Sequence, residues 1–186
     1  MSTARKLDDH FTYADYCTWG DDERWELIDG VAYAMAPAPS WDHQAVSMKL
    51  TDQFLRILRG GPCMVFAAPF DVRLNADGAD DTVVQPDLVI ICDSSKISRK
   101  VCDGAPDMVI EIMSPSTFRR DRIEKFRLYE RYGVREYWIV DPESKILQTH
   151  ILENGKYFTK VYKETESAPV HVLEGRMVDL AEVFGE

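Results

Sequence analysis

The stretch PDMVIEIM at 106–113 constrains the fold more than any other part of the chain. Its Val, Ile and Met residues run almost without polar alternation, the pattern of a strand covered on both faces. One glutamate, Glu111, interrupts the run. A carboxylate in that setting is costly unless another group pairs with it. The sequence that follows offers such a group. Residues 118–132 read as a helix stopped by Gly133, and REYWIVD (135–141) reads as the next apolar strand.

At about 100° per residue, Phe118, Asp121, Lys125, Leu128, Tyr129 and Tyr132 fall within roughly 80° of one another on that helix. Arg119, Arg120, Arg122, Glu124, Arg127, Glu130 and Arg131 lie outside this arc. Ile123 and Phe126 also fall off the stripe, so the pattern is not clean. The face turned to the sheet therefore carries an aspartate and a lysine. One reading is a simple pair four residues apart, Asp121 with Lys125. The other is a site lysine that reaches carboxylates on neighbouring strands.

The remaining chain reads as a mixture of strands and helices. RWELIDGVAYAM (24–35) is a hairpin across Asp29–Gly30. Ser40 is placed to cap a helix over 41–59, which Gly60–Gly61–Pro62 stops. Strands are expected at 64–74 and 83–91, an irregular segment from 92 to 105, and a terminal hairpin from 145–152 and 156–163 across Asn154–Gly155. The order predicts an α/β (α+β) fold, a central mixed β-sheet flanked by helices with a hairpin at each end. No repeat or linker divides the 186 residues, so one domain is expected over 1–186, with 1–10 flexible.

No run of about 18 apolar residues is present, so no membrane partner is expected. The N-terminus lacks the apolar stretch of a secretory signal, which sets a cytoplasmic expectation. Cys17, Cys63, Cys92 and Cys102 are widely spaced, which suits reduced, buried thiols better than a zinc site. The net charge of −10 argues against nucleic-acid binding as a property of the whole surface. It leaves room for a local basic groove, and for a site that holds cations between acids.

Asp87 follows Pro86 at the start of one apolar strand, and Glu111 lies within the next. If the strands are neighbours, the two carboxylates repel, and a divalent cation relieves them. Magnesium suits such a pair because it keeps several waters and takes one or two carboxylates with substrate phosphate. Asp107 shares a strand face with Glu111 but lies about 13 Å away, too far to share one ion. His43, in the first turn of its helix, reads either as a hydrogen-bonded boundary residue or as a phosphate or water contact. Glu26 alternates with Ile28 and points either inward or to solvent. Ser114 and Ser116 lack the surroundings of a nucleophilic serine, and capping by Ser116 or Thr117 explains their loop better.

WELIDG (25–30), the helix opened by His43, QPDLVI (85–90), GAPDMVIEIMSPST (104–117) and RRDRIEKFRLYERYGVREYWIVDP (119–142) together resemble the Uma-two family. That family belongs to the restriction-endonuclease-like, PD-(D/E)xK, superfamily, and the resemblance runs from about residue 11 to 180. It implies a restriction-endonuclease-like sheet with one site hydrolysing phosphodiester bonds of nucleic acid, DNA before RNA. It implies Asp87 and Glu111 as ligands of Mg²⁺ or Mn²⁺. Met113 stands two residues after Glu111, where many such nucleases carry lysine. The family is similar in lacking that lysine, and its basic group comes from the next helix, here Lys125. Glu26, His43, Asp121 and Tyr129 match supporting positions. The alternative is an inactive or weakly active nuclease fold that binds or assembles, with the strand 156–163 pairing two copies into a homodimer.

Overall fold

The computed structural model describes residues 10–20, 24–35, 38–76, 78–114 and 119–185. The expected flexibility of 1–10 falls almost wholly outside them, as do the proposed caps Ser116 and Thr117, and Phe118. A short helix, α1 (Tyr13–Tyr16), is closed by a reciprocal cap between Thr12 and Asp15. The first hairpin forms as expected, from β1 (Trp25–Ile28) and β2 (Val31–Ala34). Asp29 and Gly30 take φ of 49° and 77°, the left-handed pair that a tight two-residue turn demands. Helix α2 (Trp41–Ile57) begins at Ser40, although the Ser40 side chain makes no capping bond.

The strands expected at 64–74 and 83–91 are each broken. β3 (Met64–Ala67) and β4 (Asp71–Arg73) replace the first, β5 (Val83–Val84) and β6 (Leu88–Ile91) the second. Pro69 and Pro86 stand in the gaps. A proline has no N–H to give a ladder, so pairing stops and the chain turns out of one sheet into another. The segment expected to be irregular holds β7 (Val101–Asp103), too short to show alternation. Then come β8 (Met108–Ile112), a π-helical turn at Arg120–Lys125, α3 (Phe126–Tyr132) and β9 (Glu136–Asp141). The hairpin of β10 (Ile146–Glu153) and β11 (Lys156–Lys163) is not terminal. A second one, β12 (Ser167–Val170) with β13 (Arg176–Asp179), and helix α4 (Leu180–Phe184) follow it.

The central mixed sheet has six strands in the order β11-β10-β9-β8-β6-β3. Only β8 and β9 run parallel in it, joined by the π turn and α3 as a crossover. A second sheet, which the sequence reading did not separate, has the order β2-β1-β5-β4-β7. Period-two alternation gives the central sheet two buried faces. Leu88, Ile90, Met108, Ile110, Ile112, Trp138 and Val140 meet Val46, Leu50 and Phe54 of α2, with Leu180 and Val183 of α4. Val89, Ile91, Val109, Tyr137 and Ile139 meet Leu128 and Tyr129 of α3. Gly133, at φ 78°, ends α3 in the left-handed region. None of the described helices is long and apolar enough to cross a membrane.

Two expectations change here. The helix is not α-helical throughout, because the wider π turn carries its two inward charges. Asp121 and Lys125 are buried within it, while Ile123 is 47% exposed. The cysteines are not all buried thiols. Pairing of Met64 with Ile91 sets Cys63 opposite Cys92, and the two form a disulfide despite 29 residues of separation. Cys17 is exposed, and Cys102 alone behaves as the expected buried hydrophobe, its thiol pushed by burial up to about 12.

His150 of β10 lies in an aromatic cluster with Phe126, Tyr137 and Tyr157. Its Nδ1 bonds the Thr159 hydroxyl at 2.8 Å. Burial, helped by Arg122, lowers its pKa from 6.5 to about 4. Because the folded value lies below the unfolded one, the neutral ring stabilises the fold above pH 6.5, and that contribution disappears as pH falls towards 4. Denaturant unfolding across this window is expected to show on the order of 3 kcal/mol more acid loss in the wild type than in His150→Phe. Parallel slopes for the two proteins would remove His150 from the account.

Candidate active site

Three elements from different parts of the fold meet around one lysine. β1 supplies Glu26, β8 supplies Glu111, and the π turn supplies Lys125; all three are buried. Lys125 Nζ lies 2.7 Å from Glu26 Oε1 and 2.8 Å from Glu111 Oε1. The Tyr129 hydroxyl, one α-turn further along the same face, donates to the same Glu111 oxygen at 2.8 Å. Glu26 is held further by the backbone N–H of Gln85 at 3.1 Å, and Arg120 stands 3.7 Å from its other oxygen. The lysine thus ties the central sheet to the second sheet. Of the two pairings open from sequence, the one across elements forms, and Glu26 points inward.

Asp87 sits at the edge of this cluster, in the break before β6. Leu88 pairs with Ile110 across antiparallel strands, so Asp87 stands opposite Glu111. Its Oδ2 accepts the Ile112 N–H at 2.7 Å and faces His43 Nε2 at 3.2 Å. Its side chain keeps 23% exposure where Glu111 keeps 5%. Asp87 is thus the solvent-facing member of the pair and Glu111 the deep one. Tyr137 donates its hydroxyl to the Asp121 carbonyl at 3.0 Å, fixing the π turn on the sheet. Met113 is buried in the apolar cluster under α3, on the face that Glu111 shares. Asp107 is engaged elsewhere, by the Cys92 N–H and Arg135.

The electrostatics follow from burial. Desolvation raises the Glu111 pKa well above its ordinary value; Lys125 opposes this, and Asp121, Asp87 and Glu26 add to it. Desolvation alone would lower the Lys125 pKa, yet Glu111, Glu26 and Asp121 hold it above the ordinary lysine value, so it stays charged. Burial likewise pulls His43 down, but the bond to Asp87, the charges of Asp87 and Asp42 and the Ile112 backbone together outweigh it and leave a net rise. Glu111, Glu26 and Asp121 thus gather about the Lys125 ammonium, with Arg120 beside Glu26 and His43 beside Asp87.

Asp87 and Glu111, opposed on adjacent strands, are a donor set that a divalent cation could use. Among the described residues no three His, Cys, Asp or Glu side chains form a ready-made cage. A magnesium-type ion does not need one, since two carboxylates suffice when waters and a phosphate complete its shell.

The model of a family described as "Putative restriction endonuclease", Uma2, matches residues 12–181. The chain belongs to the Uma2 family. An uncharacterized protein, slr1290, from Synechocystis sp. is 28% identical over 156 residues, covering 82% of this chain and 80% of the relative. A crystal structure described as that of "a putative nuclease belonging to DUF820", from Anabaena variabilis, superposes with a TM-score of 0.75 at 17% identity. It covers 94% of this Uma2 chain and 97% of its own. At that identity the likeness establishes the fold.

The sequence reading missed Gln85, Arg120 and Tyr137 as neighbours of this cluster. Gln85 acts partly through its backbone, which no side-chain pattern shows. Arg120 lies off the inward arc of an ideal α-helix and reaches Glu26 from the π turn. Tyr137 passes as a strand hydrophobe.

The bridge predicts a distinctive stability pattern. Lys125→Met leaves two buried carboxylates without their cation and should cost about 3–5 kcal/mol in urea unfolding at neutral pH. The triple variant Glu26→Gln, Lys125→Met, Glu111→Gln should recover much of that loss, because the buried charges leave together. A triple variant less stable than Lys125→Met would contradict the ion-bridge reading.

Proposed function

We propose that this chain is a divalent-metal-dependent endonuclease acting on phosphodiester bonds of nucleic acid, DNA in the first instance. The observation that carries the reading is Glu111 bonded to Lys125 at 2.8 Å, with Asp87 opposite Glu111 on the adjacent strand. Membership of a family described as an endonuclease supports it.

In this reading Asp87 and Glu111 hold Mg²⁺ or Mn²⁺. When bound there, the cation supplies Lewis-acid activation of a water and neutralises charge on the phosphate. The chain's own groups do the positioning. Tyr129 and Lys125 fix one Glu111 oxygen, and the Ile112 N–H fixes one Asp87 oxygen. Lys125 has three N–H donors, of which Glu26 and Glu111 take two. The third serves to orient the attacking water and to stabilise charge as it develops on the phosphate. His43 braces Asp87 from α2, and Asp121 adds to the hold of Glu111 and Glu26 on the charge of Lys125.

A second reading draws on the depth of Lys125, only 4% exposed and locked between two acids, and on the net charge of −10. Those features also suit a binding module that no longer cuts. A homodimer belongs to either reading. Strand β11 is an edge of the central sheet, with Phe158 and Val161 exposed on it.

Incubation of plasmid and single-stranded DNA with Mg²⁺ or Mn²⁺ decides between them. Cleavage by the wild type that falls at least about 100-fold in Asp87→Asn supports the enzyme, since a metal ligand has no substitute. Cleavage unchanged in Asp87→Asn, or no cleavage with either ion, rejects it.

A further inference from the structure

The aromatic residues before the first hairpin take no part in the cluster just described. α1 and the turn after it set Tyr13, Tyr16 and Trp19 around a cavity of about 690 Å³, with Trp25 and Phe70 on its other walls. Trp19 lies 5.4 Å from Tyr16 and 5.8 Å from Trp25, ring centre to ring centre. Arg24, Arg99 and Lys100 line the same cavity, and all three are exposed. In a chain of net charge −10, these three cations outnumber Asp71, the one acid among the described lining residues.

One polar chain runs across the cavity wall to the acidic cluster. Arg24 donates to Gln85 Oε1 at 2.7 and 3.0 Å, and Gln85 Nε2 donates to Asp71 Oδ1 at 2.8 Å. The Tyr16 hydroxyl reaches the same Asp71 oxygen at 3.0 Å. The backbone N–H of that same Gln85 holds Glu26, and Asp87 is two residues further on, at most about 7 Å along the chain. Gln85 therefore stands between the two, its side chain on the cavity wall and its backbone on the acidic cluster.

We propose that this cavity binds an unpaired nucleotide of a single-stranded nucleic acid and presents the neighbouring phosphodiester to Asp87 and Glu111. Stacking on Tyr and Trp rings suits any base, because every base has a π-face. Arg24, Arg99 and Lys100 match the phosphates on either side. Asp71 and Gln85 form the polar wall that a base edge meets. Burial raises the Asp71 carboxyl above its ordinary range, while Gln85, Tyr16, Arg24 and Lys100 act against that rise. A base-paired strand offers no free face to these rings, so the site favours single strands over duplex. The inference rests on the nuclease reading for its purpose, but its test does not require cutting.

Fluorescence anisotropy with a labelled single strand of about 12 nucleotides, as DNA or as RNA, and with the matching DNA duplex, is measured in EDTA so that no cleavage occurs. The wild type is expected to bind at least one single strand more tightly than the duplex. Trp19→Ala should weaken single-strand binding by roughly 5- to 100-fold, the loss of one stacked base. Arg99→Ala/Lys100→Ala, at two exposed positions, should lower the slope of log affinity against log salt by about 1.4. Single-strand affinity and salt slope unchanged in both variants, or duplex bound as tightly as both single strands, would overturn the proposal. If Asp87→Asn abolishes cleavage while these variants bind as wild type does, the cavity inference fails alone. If the wild type never cuts but the binding losses appear, the cavity stands and the nuclease reading fails.

Discussion

A charged lysine, closed off from water between glutamates of two different sheets, is the contact on which the rest of this structure depends. Lys125 reaches Glu26 and Glu111 at hydrogen-bond distance, and each of the three side chains is buried. None of them would be tolerated there alone, since an isolated buried charge costs several kcal/mol. Together they fix the position of β1 against β8 and of the π turn against both. Apolar packing holds each face of the central sheet, but it does not choose which strand register or helical turn brings these charges into line. The ion bridge does.

The same arrangement sets the character of the acids. Burial makes Glu111 hold its proton more tightly, Lys125 opposes this, and Asp121, Asp87 and Glu26 add to it. Asp87, opposite Glu111 on the next strand, is the one of that pair that solvent reaches. In the proposed function that exposed edge is where a cation would join the two carboxylates. In the proposed function Lys125 would be both a strut and a reagent, and the two roles do not conflict, because Glu26 and Glu111 take two of its three donors.

Much of this was legible in the sequence, for definite reasons. Glu111 stood out because it interrupts an unbroken apolar strand, and Lys125 because it lies on the inward arc of an amphipathic helix. The hairpin at Asp29–Gly30 was visible because few pairs tolerate two positive φ angles. What escaped notice depended on long-range pairing. Glu26 was ambiguous until its strand was placed, since alternation names a face and not what covers it. Pro69 and Pro86 were visible, but not that the chain changes sheets there. The disulfide needed the β3–β6 register to bring Cys63 and Cys92 together, and the π turn cannot be read from a pattern that assumes 100° per residue.

Anomalous diffraction from crystals grown with Mn²⁺ tests the central claim most directly, because it locates the ion without relying on turnover. The account predicts one strong peak coordinated by Asp87 and Glu111, with Lys125 still between Glu26 and Glu111. A fully occupied ion elsewhere, or no ion beside these two carboxylates at saturating Mn²⁺, would contradict it.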